Sequence, residues 1–326
     1  MTKAEWIRVS RSSPCPICGR PDYCTKTTDG AVAKCMRIES SKPAKGDAGG
    51  WIHKVEGAEV IEAPVIAKPA RKIDQETLSK RVAQMYRTKG AAEARIELAE
   101  RIGVSLLSLE ALEVGLGYDR DGKRFWSLVE RDILWRPVGV SRRYENGSKR
   151  HLPGTTHGLY FAKDWYAIRG PILLPEGGSD TAALLTMGLC AIGRPSNTGG
   201  INMLIGLLRS CTQRPIIVIG ENDRKPERIG TKREAETVIV DDKPERRCPR
   251  NCEGCTWCWP GKGGAVLTAE RLTAALRRPV YSRVVKGAKD SREWLNTKGC
   301  NRVEFVKQLG VPNKWLEMLE PVEAEI

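Results

Sequence analysis

The sequence has no long hydrophobic run. A membrane-spanning helix needs about 20 consecutive apolar residues, whereas the longest apolar stretches, such as residues 201–208, suit a helix or strand in a protein core. The N-terminus also lacks the apolar segment and cleavage site of a secretory signal peptide. These absences argue against a membrane protein and predict a cytoplasmic one.

The predicted location argues against disulfides, although the chain has 11 cysteines. The cytoplasm is reducing, so cysteines there are more often metal ligands or free thiols. Most of these cysteines fall into two groups of four, at residues 15–35 and 248–258. Groups of this kind bind metal more often than they form bridges.

Acidic residues are in deficit. The chain has 54 Lys and Arg against 40 Asp and Glu, which gives a formal net charge of +14. A surplus of this size favours a polyanionic partner, with nucleic acid as the first candidate. The alternative is a generally basic surface that keeps the protein soluble.

The hydrophobic pattern predicts a multidomain α/β protein. A small β zinc ribbon is expected at residues 1–56, and a Pro-, Ala- and Lys-rich linker at residues 57–73. Helical and then strand-like spacing predicts an α+β middle region at residues 74–165. Short apolar strands alternate with helices over residues 166–300, which predicts a parallel sheet flanked by helices. A helical tail at residues 301–326 follows.

Individual elements follow from the same patterns. A tight turn is expected at Asn146-Gly147. Helices are expected at residues 180–187, 201–208 and 268–276. Strands are expected at residues 125–129, 133–140, 171–175, 215–220 and 280–285.

The first cysteine group predicts a structural zinc site. Cys15 and Cys18 are separated by two residues, which lets both thiolates bind one ion, and Cys24 and Cys35 supply the second pair. His53 is the alternative ligand. A site with four cysteine ligands has no open position, so it would hold together a ribbon that lacks a core of its own.

A ribbon in a basic protein commonly binds single-stranded nucleic acid. Several basic residues and one tyrosine lie around the cysteines and would contact phosphates and bases. They are Arg20, Tyr23, Lys26, Lys34 and Arg37.

Acidic residues directly follow two of the predicted strands. Glu176 follows the strand at residues 171–175, and Glu221 and Asp223 follow the strand at residues 215–220. Ligands of open parallel sheets bind beyond the carboxyl ends of the strands. Carboxylates there, without neighbouring His or Cys, suit Mg²⁺ or Mn²⁺ and phosphoryl-transfer chemistry. The alternative is that these acids only interact with helix N-termini.

These segments resemble a known family. Residues 171–180 resemble the first TOPRIM motif, a strand followed by Glu-Gly and a later Asp, and residues 216–223 resemble the second. Residues 286–290 resemble the Lys-Asp segment after the later strand. With Cys-Pro-x-Cys at residues 15–18 ahead of them, the chain resembles the bacterial and phage DNA primase family. The match covers the ribbon and roughly residues 125–295.

The resemblance implies a Rossmann-like TOPRIM domain that makes short RNA primers on single-stranded DNA from ribonucleoside triphosphates. Its cofactors would be one or two Zn²⁺ and Mg²⁺ or Mn²⁺. Glu176 would match the family's metal ligand or general base, and Glu221 and Asp223 its metal-binding pair. Residues matching family positions for nucleic acid or nucleotide are Arg142, Arg143, Lys149, Arg150, Asp180, Lys289 and Asp290. For the four basic residues among these, a solvated hairpin face is the alternative.

The sequence departs from the family pattern at two places. Glu221 stands where the family has Asp, and its extra methylene moves the carboxylate outward by roughly an ångström. An insertion at residues 228–264 also follows the metal-binding pair. It contains Cys248, Cys252, Cys255 and Cys258, which predict a second zinc site, with an iron–sulfur cluster as the alternative.

No nucleotide-hydrolysing motor is predicted. Residues 260–264 read Pro-Gly-Lys-Gly-Gly, but the phosphate-binding loop pattern is incomplete and Ala265 follows in place of Ser or Thr. A helicase partner would therefore be a separate chain. The rival functions are a TOPRIM nuclease, which would use the same acids to cut, and a non-catalytic single-stranded nucleic-acid-binding protein.

Overall fold

The computed structural model describes residues 5–44, 50–55, 72–211, 213–225, 258–317 and 319, and the backbone of residues 237–240 and 243–246. The chain divides into two compact units, Met1–Ala70 and Arg71–Ile326. Among the described helices, none is long and apolar enough to cross a bilayer.

The first unit is a four-stranded antiparallel sheet. Its strands pair in sequence order, and Val9 forms a buried cluster with Cys15, Cys24 and Cys35. The strands are β1 (Trp6–Arg8), β2 (Thr25–Thr27), β3 (Val32–Cys35) and β4 (Trp51–Lys54).

The second unit begins with three helices, α1 (Gln75–Arg87), α2 (Ala91–Ile102) and α3 (Leu106–Ala111). Asp74 caps α1 by accepting a hydrogen bond of 2.8 Å from the Thr77 N–H. At the end of α2, Gly103 adopts a positive φ of 67°, which is the usual way for glycine to end a helix.

An antiparallel sheet follows in the order β5-β6-β7-β8. Its strands are Gly115–Tyr118, Arg124–Arg131, Pro137–Tyr144 and Lys149–His151. The predicted strand at residues 133–140 is wrong at its start, because the Asp132 carboxylate accepts hydrogen bonds of 2.9 Å from the Leu134 and Arg136 N–H groups and closes a turn. The predicted turn at Asn146-Gly147 is confirmed, with Gly147 at a φ of 80°.

A parallel sheet forms the centre of the second unit. Its strands are β9 (Ile172–Leu174), β10 (Ile216–Gly220) and β13 (Tyr281–Val284), in the order β13-β10-β9. Every residue of β10 is buried, because apolar clusters cover both faces of the sheet. The mixed α/β fold with a parallel sheet is therefore confirmed. A short hairpin of β11 (Thr237–Val240) and β12 (Lys243–Arg246) precedes β13.

The remaining helices connect and follow these strands. They are α4 (Gly177–Thr186), α5 (Ile201–Leu208), α6 (Pro260–Leu276), α7 (Ser291–Lys298), α8 (Arg302–Gln308) and α9 (Asn313–Glu317), with a 3-10 turn at Trp165–Ala167.

Two of these helices start earlier than the sequence predicted. Helix α4 begins at Gly177 instead of residue 180, and α6 begins at Pro260 instead of residue 268. Glycine is a poor helix former, so the sequence pattern placed the start of both helices too late. Close packing requires glycine at these helix starts. A Cβ at Gly261 would lie 2.7 Å from the Glu221 Cβ, and a Cβ at Gly178 would lie 2.5 Å from the Leu128 side chain.

Candidate functional site

Three parallel strands end at the same edge of the central sheet, and acidic residues lie just beyond them. Glu176 is the N-cap residue of α4 after β9, and Glu221 directly follows β10. Asp290 is the N-cap residue of α7 after β13, and its carboxylate accepts a hydrogen bond of 2.8 Å from the Glu293 N–H. The sheet thus gathers side chains that are far apart in sequence.

Three carboxylates form a compact cluster at this edge. One oxygen from each of Asp180, Glu221 and Asp290 lies within 4.8 Å of the others. Asp180 and Asp290 are only 7% and 6% exposed. Asp180 lies in the first turn of α4 and accepts a hydrogen bond of 3.0 Å from the Arg292 N–H.

The electrostatics of this carboxylate cluster favour a cation. Burial, and after it the charge of Asp290, raises the pKa of Asp180 to about 8. Burial and the charge of Glu221 raise the pKa of Glu176 to about 6. Lys289 compensates in part, since its Nζ lies 3.5 Å from Glu221 Oε2. Three hard oxygen donors that repel one another fit Mg²⁺ or Mn²⁺ well.

Arg194 holds the edge of the sheet together from inside. It is fully buried, and its guanidinium donates to the carbonyl oxygens of Leu174 at 3.2 Å and Ile219 at 3.0 Å, at the ends of β9 and β10. Burial lowers its pKa to about 10, while the neighbouring Glu176 and Glu221 act in the opposite direction. Arg194 therefore fixes the spacing of the two strands that carry the acidic residues.

The carboxylate cluster lines a cavity of about 470 Å³ whose other wall is basic. The basic residues on this wall are Arg143, Lys149, Arg150 and Arg292. Arg143 donates a hydrogen bond of 2.9 Å to Ser179 Oγ. Burial and the nearby charges of Arg292 and Arg101 lower the pKa of Arg143, so this wall is crowded with positive charge. Such a surface attracts phosphate groups.

Most of the predicted site residues outside the two cysteine groups meet in this cavity. Those that line it are Arg143, Lys149, Arg150, Glu176, Asp180, Glu221, Lys289 and Asp290. Arg142 and Asp223 are not among the residues that line it. Arg142 donates to the His151 carbonyl oxygen at 3.1 Å, and the Asp223 carboxylate accepts a hydrogen bond of 3.0 Å from the Gly261 N–H at the start of α6.

Sequence reasoning missed part of the cavity wall. Glu130, His157 and Tyr160 also line it, beside His151. Glu130 lies on β6 and the others lie on or after β8, so their proximity depends on strand pairing and leaves no local motif. They were not identifiable from the sequence pattern.

The first cysteine group is assembled as predicted. The sulfur atoms of Cys15, Cys18, Cys24 and Cys35 lie within 4.8 Å of one another, which is an arrangement compatible with zinc. Backbone N–H groups point at the sulfurs, with Met36 N at 3.4 Å from Cys24 and Ile38 N at 3.3 Å from Cys35. The alternative ligand His53 instead places its Nε2 2.9 Å from the Ile38 carbonyl oxygen.

The second cysteine group lies largely outside the described residues. This holds for Cys248, Cys252 and Cys255, whereas Cys258 is described and buried. A second zinc site there stays a prediction.

Three comparisons with known proteins gave matches among solved structures alone. No protein-family model and no curated protein matches the sequence. Among solved structures, the Escherichia coli primase catalytic core is 12% identical, with 72% of this chain and 79% of that chain covered and a TM-score of 0.48. The zinc-binding and RNA polymerase domains of Aquifex aeolicus primase are 14% identical, covering 73% of this chain and 62% of that one, with a TM-score of 0.48.

A phage structure extends over more of the chain. The primase fragment of the bacteriophage T7 primase-helicase protein is 15% identical, with 91% of this chain and 97% of that chain covered and a TM-score of 0.39. All three are structures of primases or of primase fragments.

Proposed function

We propose that this protein is a metal-dependent nucleotidyltransferase of the primase kind, which joins ribonucleotides into short primers on single-stranded DNA. The observation that carries the proposal is the cavity itself. The clustered oxygens of Asp180, Glu221 and Asp290 face the same space as Arg143, Lys149 and Arg150. A cation site opposite a phosphate-attracting wall suits phosphoryl transfer better than it suits a merely structural role.

Each side of the cavity has a distinct task in this reaction. Asp180, Glu221 and Asp290 would hold Mg²⁺ or Mn²⁺, which supplies charge neutralisation at the phosphates when bound. Arg143, Lys149 and Arg150 bind and orient the triphosphate of the incoming ribonucleotide. The net charge of +14 favours binding of the single-stranded DNA template, because basic side chains neutralise its phosphates.

Three residues support the reaction from the acidic side. Glu176, the N-cap residue of α4, lines the cavity and accepts the proton of the primer hydroxyl, whose oxygen bonds to the α-phosphorus as pyrophosphate leaves. Lys289 keeps Glu221 in position through its contact of 3.5 Å. Arg194 fixes both strand ends and acts as a positioning residue.

A primer-synthesis assay tests the proposal. The protein is incubated with single-stranded DNA, ribonucleoside triphosphates and Mg²⁺ or Mn²⁺, beside the Glu221→Gln variant and the control Glu76→Gln. Glu76 is exposed on α1 and pairs with Lys80. We expect RNA products from the wild type and the control and none from Glu221→Gln.

Two other results would reject the proposal. Shortening of the DNA without RNA synthesis would assign a nuclease instead. Salt-sensitive DNA binding without either reaction would assign a non-catalytic binding protein. A separate helicase chain as partner stays a prediction from the sequence.

A further inference from the structure

A second group of potential metal ligands lies on the cavity wall, apart from the carboxylate cluster. Two histidines converge on Glu130: His157 Nδ1 lies 3.0 Å from Glu130 Oε2, and His151 Nε2 lies 3.5 Å from Glu130 Oε1. One ligand atom from each of the three residues lies within 4.8 Å of the others. The chain has three histidines, and two of them lie next to this one carboxylate.

Glu130 is a fully buried carboxylate, with a side-chain exposure of 0%. Its oxygens accept hydrogen bonds from the Gly158 N–H at 2.8 Å and the Tyr160 hydroxyl at 3.0 Å. Those donors are neutral. A buried charge is costly unless a cation compensates it, and the ion-pair partners that the structure gives Glu130 are the two imidazoles.

His151 offers a nitrogen atom suited to a metal ion. Burial lowers the pKa of its imidazole, whereas the charge of Glu130 acts in the opposite direction. Its Nε2 is buried and makes no hydrogen bond. A neutral imidazole nitrogen beside a carboxylate oxygen is the form that binds a metal ion.

The distances also fit a small divalent ion. Ligand atoms about 2.0–2.1 Å from a tetrahedral zinc are roughly 3.3 Å apart from one another. The two nitrogen–oxygen separations of 3.0 and 3.5 Å lie on either side of this value. The third separation, between the two imidazole nitrogens, is within 4.8 Å, so the histidine side chains would have to close around the ion.

We infer that Glu130, His151 and His157 form a binding site for a divalent transition-metal ion such as Zn²⁺. Nitrogen ligands select such ions over Mg²⁺, which prefers oxygen donors, so this site differs in chemistry from the carboxylate cluster. Three protein ligands leave a coordination position open, as in catalytic and not in structural zinc sites.

Glu130, His151 and His157 line the same cavity as the carboxylate cluster and the basic wall. The ion would there accept an anionic oxygen, and a phosphate oxygen is the fitting group if the proposed function holds. Metal binding at Glu130 does not depend on that function. The test of metal binding can therefore fail or succeed whether or not the protein makes primers.

Nitrogen NMR of the full-length protein labelled with ¹⁵N-histidine tests the inference, because three histidines give few signals. Zn²⁺ is added to protein whose cysteine sites already carry metal. We expect the signals of His157 Nδ1 and His151 Nε2 to shift together at one added equivalent, while Mg²⁺ shifts neither. The signals of His53 serve as an internal control, because this residue lies in the first unit.

Variants make the test independent of folding. His157→Gln should weaken Zn²⁺ binding by on the order of tenfold to a hundredfold or more, since even outer partners of metal ligands have effects of this size. The His157 side chain is 62% exposed, so the variant should fold. His53→Gln is the matched control and should change nothing. Absence of the paired shift, a shift of a single ring, or equal effects of both variants would overturn the inference.

Discussion

The four-cysteine cluster and the carboxylate cluster are both suited to hold a metal ion, but they are built in opposite ways. The cysteines come from one short segment, and their sulfurs form much of the core of the first unit. The carboxylates come from two helices and a strand end and open onto a cavity. A cluster that serves as a core stabilises a fold, whereas one that faces a cavity is free to do chemistry.

The largest effect should come from breaking the cluster that serves as a core. Cys24 is fully buried and receives the Met36 N–H and the Arg37 guanidinium, so Cys24→Ser should unfold the first unit and release one zinc per chain. Elemental analysis and limited proteolysis would detect both changes. Cys300→Ser, at an exposed cysteine of the second unit, is the control. Retention of zinc and of protease resistance in Cys24→Ser would remove the contrast between the two clusters.

A carboxylate variant should lose activity without losing stability. Asp180→Asn should lower primer synthesis by roughly a hundredfold or more, because a charge that stabilises the transition state is removed. Burial raises the pKa of Asp180 to about 8, so in the folded protein its charge costs stability, most of all above that pH. Without added Mg²⁺ the variant should therefore melt higher at pH 9, by about 2–4 °C for each kcal/mol relieved.

The sign of the melting shift separates the two roles of Asp180. If Asp180 stabilised the core, its substitution would lower the melting temperature. We expect the opposite, and the higher melting temperature of Asp180→Asn should approach that of the wild type as the pH falls toward 4. A lower melting temperature of Asp180→Asn at every pH would show that the carboxylate cluster supports the fold, as the cysteines do.

The basic wall should contribute a smaller, salt-dependent effect. Lys149→Met should weaken binding of a single-stranded oligonucleotide and lower the slope of log K against log salt by about 0.7. Lys149 lines the cavity, whereas the control Lys123→Met lies in the exposed turn between β5 and β6. Fluorescence anisotropy at several salt concentrations measures both. Equal slopes for the two variants would mean that the wall acts through net charge alone.

The smallest effect is expected at the acid that departs from the family pattern. Glu221→Asp withdraws the carboxylate by roughly an ångström and should lower activity by about tenfold, below the hundredfold that such a misplacement can cost. Glu221 reaches Asp180, Asp290 and Lys289 with its present length. Steady-state kinetics with Mn²⁺ measure the change. A gain in activity would show that Glu221 is a weakened substitute for Asp.

The same contrast explains what the sequence could and could not predict. The spacing of Cys15, Cys18, Cys24 and Cys35 is local, and the structure brings these four sulfurs together. Glu176 and Glu221 were predicted because each follows an apolar strand, and both line the cavity. The pairing of Glu130 with His157 was beyond the pattern, because it depends on how a loop after β8 packs against β6.

Packing also gives three predicted residues partners that the motifs do not show. Asp180 and Asp290, which motif positions suggested for nucleotide binding, lie with Glu221 in the carboxylate cluster. Asp223, predicted beside Glu221 as a metal ligand, accepts a hydrogen bond from the Gly261 N–H, and its role as a metal ligand stays a prediction. The start of α6 lies close against the end of β10, and Gly261 leaves room for this contact. The sequence pattern did not predict it, because glycines are poor helix formers.

Anomalous diffraction from crystals of the full chain soaked in Mn²⁺ tests the central claim most directly, because it locates the ion itself. We expect a peak within direct coordination distance of the carboxylates of Asp180, Glu221 and Asp290, and its loss in Asp180→Asn crystals. A soaked crystal without a peak at these three carboxylates, or with an unchanged peak in Asp180→Asn, would contradict it.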